Sequence, residues 1–156
     1  MPKKDNIRIR DIFEPKDMHT LLVYEKDTIR NAIRHFAEDP CCGGIFIIDK
    51  DKRFRGVITR YDLLTWAKFK IGAGIESDAI SIQEIHKYAH STKIKEFIEK
   101  YSDRLCLTLD NSLLDALNMM LSEDLITVPV VDEKGKILGD LKLSNVLTKI
   151  LKMKRD

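Results

Sequence analysis

The sequence predicts an α+β fold made of two strand–helix–strand–strand–helix units packed against each other. Three observations lead there. Ile29, Ala32, Ile33, Phe36 and Ala37 form an apolar stripe at helical spacing, and Leu113, Ala116, Leu117, Met120 and Leu121 repeat it 84 residues later. The run Gly44-Ile-Phe-Ile-Ile-Asp49, leading into Gly56-Val-Ile-Thr-Arg-Tyr-Asp62, returns 83 residues on as Thr127-Val-Pro-Val-Val-Asp132, leading into Gly139-Asp-Leu-Lys-Leu-Ser-Asn145. One such unit is too small to cover both faces of its own sheet, so the two copies must supply a shared core. A repeat of this kind fixes architecture before any single residue is interpreted.

Each copy opens on a short apolar segment, Ile7 to Ile12 in the first and Ile80 to Ile85 in the second. A strand follows, Leu21–Tyr24 or Leu105–Thr108. Asp27-Thr28 and Asn111-Ser112 mark helix starts, because their side-chain oxygens accept from the free N–H groups of a first turn. Ser112 with Asp115 reads as a capping box with the shorter acid. The stripes then predict amphipathic helices. Compact apolar strands follow at 45–48 and 128–131. The polar turns at 49–56 and 132–139 make each a hairpin with the next strand. A closing helix ends each unit, with Leu63, Leu64 and Ala67 on its apolar face in the first copy and Val146, Leu147, Ile150 and Leu151 in the second.

The units are bounded at 1–76 and 77–156, with a helical elaboration near 86–102. The leading segments are offset by 73 residues and the helices by 84, so eleven extra residues lie between Ile85 and Leu113. Ile94, Phe97, Ile98 and Tyr101 give that stretch helical spacing. It reads as a solvated elaboration or a dimer contact rather than a catalytic insert. Trp66 and Phe69, late in the first closing helix, fit either the core or a subunit contact.

Composition narrows the function. The 156 residues are 44% hydrophobic and 33% charged, an ordinary globular balance. No apolar run is long enough to cross a bilayer, and the charged start, Met1 to Asn6, does not resemble a secretory signal. A net charge of +2 from 27 basic and 25 acidic residues gives no reason to expect a nucleic-acid or membrane surface. Cys41, Cys42 and Cys106 are an odd count and read as reduced thiols of a cytoplasmic protein. His86 and His90 share one helical face, but no further ligands accompany them, so no metal site is expected. No Ser-His-Asp, Cys-His or P-loop pattern appears, and the chain does not read as an enzyme.

The repeated motifs, Gly44–Asp49 with Gly56–Leu64 and Val128–Asp132 with Gly139–Leu147, resemble the CBS domain. From Ile7 to Leu151 the chain resembles a tandem CBS pair, or Bateman module. The resemblance implies two βαββα units packed sheet to sheet about a pseudo-twofold axis, with two clefts between them. It implies a regulatory module for an adenosine-containing ligand (AMP, ADP, ATP or S-adenosylmethionine), with no required cofactor. It also implies a homodimer acting on an effector protein in trans.

The family's signature, Gly-apolar-apolar-Thr/Ser-x-x-Asp, is complete in the first copy. A carboxylate such as Asp62 accepts from both hydroxyls of a ribose. Thr59 and the free N–H groups of a helix start suit a phosphate or ribose oxygen, Arg60 adds a cation, and Tyr61 flanks them. Strand alternation puts Val57 and Thr59 on the cleft face. The resemblance places the adenine walls on the other copy: Arg104, Leu105, Leu125, Ile126 and Thr127.

The second copy has Asp140, Lys142 and Asn145 where Val57, Thr59 and Asp62 stand. By alternation Asp140 and Lys142 face their cleft and satisfy each other, with Ser144 beside them. The opposing wall, near Thr20, Leu21, Cys42 and Gly43, offers no compensating signal. This second cleft reads as weak or vacant; the alternative is that Lys142 meets a phosphate of a ligand bound differently. Each signature residue also has a plain structural role: Asp62 complements a helix dipole, Thr59 suits a strand end, and Arg60 suits solvent. The competing function is therefore an interaction module that binds no nucleotide.

Overall fold

The first strand of each unit runs parallel to the second, and the third returns antiparallel, giving two separate sheets ordered β1-β2-β3 and β4-β5-β6. The structure is a computed structural model describing residues 6–15, 20–39, 44–72, 81–99 and 101–153. Its elements are β1 (Leu21–Tyr24), α1 (Ile29–Glu38), β2 (Ile45–Ile48), β3 (Phe54–Ile58) and α2 (Arg60–Lys70), then α3 (Ile82–Ile85) and α4 (Ile94–Phe97). The second unit continues with β4 (Leu107–Thr108), α5 (Leu113–Glu123), β5 (Thr127–Val131), β6 (Ile137–Lys142) and α6 (Leu143–Lys152). This is the α+β repeat the sequence predicts.

The caps form as read. Thr28 Oγ1 accepts from Asn31 N–H, and Ser112 and Asp115 close a reciprocal capping box. Ile29 and Ala32 of α1, and Leu113, Ala116 and Met120 of α5, are buried. The last stripe residues, Ala37 and Leu121, fall outside the core and are exposed. Phe46, Phe54 and Val57 of the first unit share one apolar cluster with Leu107, Val128, Val130 and Leu141 of the second, so the sheets pack through these faces. Ile45, Ile47 and Ile58 point the other way, toward the helices of their own unit.

The leading segments do not stay with the units they begin. Ile9 N–H donates to Asn111 O and Leu113 N–H to Ile7 O, so the leading segment lies on the second unit, and both isoleucines are buried in the shared cluster. Conversely, Ile29 N–H donates to Thr92 O and Ile94 N–H to Asp27 O, placing the connecting segment on the first unit. The packing thus crosses the sequence bounds of 1–76 and 77–156.

Several local expectations change. The segment near 86–102 is not a solvated helix. It runs as a π-helical turn (His86–His90), the single turn α4 and a 3₁₀ turn (Ser102–Arg104), broken at Tyr101 with φ +76°. Tyr88, Ile94 and Phe97 are core residues, because the segment covers α1 and α2 of the first unit. The strand expected over 105–108 shrinks to two residues, since Leu105 N–H closes the 3₁₀ turn onto Ser102 O. On α2 the core face is Leu63, Trp66 and Phe69, while Leu64 and Ala67 face out. On α6 only Val146 of the four expected residues is buried. Ile80, Cys41, Cys42 and Gly43 lie outside the described residues.

Candidate functional site

Gly56 and the residues after it carry β3 to the start of α2, and the local geometry explains each type. Ser102 Oγ accepts from Val57 N–H at 2.9 Å and donates to Val57 O at 3.4 Å, tying the connecting segment to the strand. A Cβ at position 56 would sit 2.7 Å from that oxygen, so only glycine lets the segment approach. Gly139 serves the second copy alike, where a Cβ would meet the Phe13 ring at 2.8 Å. Thr59 then caps α2: its hydroxyl accepts from Asp62 N–H, and Asp62 returns the contact to Thr59 N–H.

Around this corner lies a cavity of about 460 Å³, lined by Val57, Thr59, Tyr61 and Asp62 from the first copy, Leu105 and the Ser122–Asp124 stretch from the second, and Glu99, Tyr101 and Ser102 from the connection. A neighbouring cavity of about 380 Å³ is mainly apolar. It shares Val57, Thr59 and Asp124 and adds Phe46, Ile58, Arg60, Leu125, Ile126 and Thr127. The Arg60 guanidinium donates to the Asp124 carboxylate, joining the start of α2 to the end of α5 between the two spaces. The expected cleft thus has polar groups around Asp62 at one end and apolar ones around Leu125 and Ile126 at the other.

The structure thus brings together Val57, Thr59, Arg60, Tyr61, Asp62, Leu105, Leu125, Ile126 and Thr127. Arg104 does not line either space; its guanidinium lies 4.7 Å from the Tyr101 ring centre, an aromatic stacking position. Tyr61 is largely exposed at the rim, and Thr127 is buried.

Asp62 is the tightest part of the site. It is only 6% exposed, and four donors surround it. Oδ2 accepts from Thr59 N–H at 2.9 Å and from the Thr59 hydroxyl at 3.0 Å. Oδ1 accepts from Lys87 Nζ and from the Tyr88 hydroxyl, each at 2.9 Å. A carboxylate offers about four lone-pair positions, so Asp62 is fully engaged within the chain. Burial, with the Asp62 charge beside it, pushes the Tyr88 phenol well above the ordinary tyrosine range. Lys87 also donates to Glu99 at 2.7 Å and sits 5.0 and 5.1 Å from the ring centres of Tyr88 and Phe97.

In the second copy Asp140 is buried, but Lys142 is not its closest partner. Asp140 Oδ2 accepts from Thr20 Oγ1 at 2.6 Å and from Thr127 Oγ1 at 3.2 Å, with Lys142 Nζ 3.9 Å from Oδ1. The expected pairing of Asp140 with Lys142 forms, but two threonine hydroxyls lie closer to the carboxylate than the ammonium does. Asn145 Oδ1 accepts from Lys142 N–H, repeating the helix cap of the first copy. Ser144 is exposed, and Leu21 packs on the first unit's core while its N–H donates to Gly44 O.

Sequence reasoning missed Lys87, Tyr88, Glu99, Ser102 and Asp124. Gly56 was the one available signal, since a glycine within a strand marks a close approach. Among the described residues no cluster of His, Cys, Asp and Glu could hold a metal ion, and no helix is long and apolar enough to cross a membrane.

The CBS domain family profile matches residues 9–68 and 94–152. No curated protein sequence matches the chain. Among solved structures, a CBS domain-containing protein from Thermotoga maritima superposes with a TM-score of 0.74 at 22% identity, covering 97% of this chain and 99% of its own. CBSX2 in complex with AMP gives 0.67 at 22% identity, covering 96% and 99%. The cytosolic domain of the Mg2+ channel MgtE in complex with ATP gives 0.57 at 20% identity, covering 85% and 45%. At these identities the likeness is one of fold.

Proposed function

The chain belongs to the CBS domain family, and from that premise we propose that it is a regulatory module sensing an adenosine-containing ligand between its two units and acting on a partner protein in trans. One observation carries the reading: a polar compartment at Thr59 and Asp62 adjoins an apolar one at Leu125 and Ile126, the pairing a nucleoside requires. The apolar compartment takes the adenine, and the start of α2 faces the sugar and its substituent. AMP, ADP, ATP and S-adenosylmethionine are the candidate ligands; the AMP and ATP complexes of similarly folded proteins support that class. The site residues are Val57, Thr59, Arg60, Tyr61 and Asp62 with Leu105, Leu125, Ile126 and Thr127. The second cleft is weak or vacant, its centre taken by Asp140 and its two threonines. The module works as a cytoplasmic homodimer; exposed Leu64, Leu147 and Leu151 on the closing helices support a self-contact. It performs no chemical step.

Titration calorimetry with the four candidates tests this. One ligand bound per chain is the expected result. No binding at millimolar ligand refutes the sensor, and binding that Asp62→Ala leaves unchanged refutes the site. A specific observation favours a second reading, an interaction module without a nucleotide: all four acceptor positions of Asp62 are already occupied.

A further inference from the structure

The four donors on Asp62 are not equally replaceable. Thr59 holds Oδ2 as part of the α2 cap, and losing that contact frays the helix start. Tyr88 is 2% exposed, stacked on Phe69 at 5.8 Å and edge-on to Phe97 at 5.4 Å, so its hydroxyl cannot leave without opening the core. Lys87 differs. It is a flexible side chain whose second partner, Glu99, is 64% exposed, so its ammonium has a short path to water. It also lies in the stretch 69–93 between the two segments that match the family profile, so this contact belongs to the chain's own connection.

We propose that Lys87 is an internal competitor at the ligand site: a ribose hydroxyl reaches Asp62 Oδ1 only by displacing the Lys87 ammonium. The inference rests on the adenosyl reading of the site. It changes that reading in two ways. The ligand makes one hydrogen bond to the carboxylate rather than a diol pair across both oxygens. Its affinity is also set by exchange against a charge-assisted bond that is already formed. The freed Lys87 remains tethered near Glu99 and turns toward solvent, so binding changes the surface of the connecting segment as well as the cleft.

Adenosine is the probe, because it has no phosphate for Lys87 to attract. The Lys87→Met variant, which keeps an unbranched apolar stem and removes the donor, is expected to bind adenosine about tenfold tighter than the native chain by calorimetry. In the native chain, acetylation of Lys87 by acetic anhydride, which releases acetate, followed by mass spectrometry, is expected to quicken several-fold at saturating adenosine. Lysines 68 and 95 serve as internal references. A variant that binds no tighter, or a Lys87 acylation rate unmoved by bound adenosine, overturns the competition and leaves the site standing. If neither protein binds adenosine or any of the four candidate ligands at millimolar concentration while both keep their circular dichroism, the adenosyl reading fails and takes this inference with it. Should the variant not fold, the native footprint alone decides.

Discussion

Replacing Tyr88 with Phe removes one oxygen and little else. The ring keeps its stack on Phe69 and its edge contact with Phe97. What disappears is a 2.9 Å hydrogen bond from a buried hydroxyl to the Asp62 carboxylate. Bonds to charged groups contribute roughly 1.5–3 kcal/mol, and the carboxylate left behind stays buried with three donors. A loss of about 2 kcal/mol is therefore expected, and for a chain of this length each kcal/mol moves the midpoint by about 2–4 °C, giving a fall of about 4–8 °C. Thermal unfolding followed by circular dichroism at neutral pH reads it. The pH dependence supplies a second check. In the folded chain the Tyr88 phenol is held above its ordinary range, whereas in the unfolded chain it ionises near about pH 10. Above that pH the folded state binds the extra proton, so this contribution is complete below about pH 10 and is lost as pH rises. The gap between the native chain and Tyr88→Phe should narrow above pH 10. An unchanged or raised midpoint at neutral pH would show that the hydroxyl does not anchor Asp62.

Other outcomes follow from the same geometry. Gly56→Ala puts a Cβ 2.7 Å from Ser102 Oγ and should cost about 1–3 kcal/mol in urea unfolding; a neutral result would deny the close crossing. Asp140→Ala leaves the Thr20 and Thr127 hydroxyls without their acceptor, and a loss of about 1–3 kcal/mol is expected in the same assay. Asp49 and Asp132 are held below the usual carboxylate range, chiefly by backbone N–H groups of Arg53 and Lys136 in their hairpin turns. Their stabilising effect is present above the unfolded value of about 3.9 and is lost as pH falls through the folded values. Asp49→Asn and Asp132→Asn should therefore flatten the acid limb of a stability–pH curve.

The repeat made the fold legible because helix stripes and strand runs are local signals, and two copies at a fixed offset confirm each other. Val57, Thr59 and Asp62 were legible for the same reason: the turn from β3 into α2 is a local motif. Lys87 and Tyr88 were not. They reach Asp62 from 25 and 26 residues away, through a π-helical turn that no periodicity announces. Asp140 is legible as a break in the repeat and its pairing with Lys142 forms, but its two threonine partners are not legible. Alternation tells which face a side chain takes, whereas Thr20 comes from another strand's entrance, 120 residues distant. Leu64 and Ala67 failed because α2 carries apolar residues on several sides, and only the position of the connecting segment decides which side is covered.

The crossing of the leading segment has a consequence for biosynthesis. Ile7 and Ile9 leave the ribosome about a hundred residues before their backbone partners at 111 and 113. At about 5–20 residues per second, that is a wait of roughly 5–20 s with two core isoleucines uncovered. The first unit also lacks its own lid until 88–97 has emerged. Neither half is a finished folding unit during translation. The chain closes as a clasp closes, its leading segment docking on backbone made about a hundred residues later.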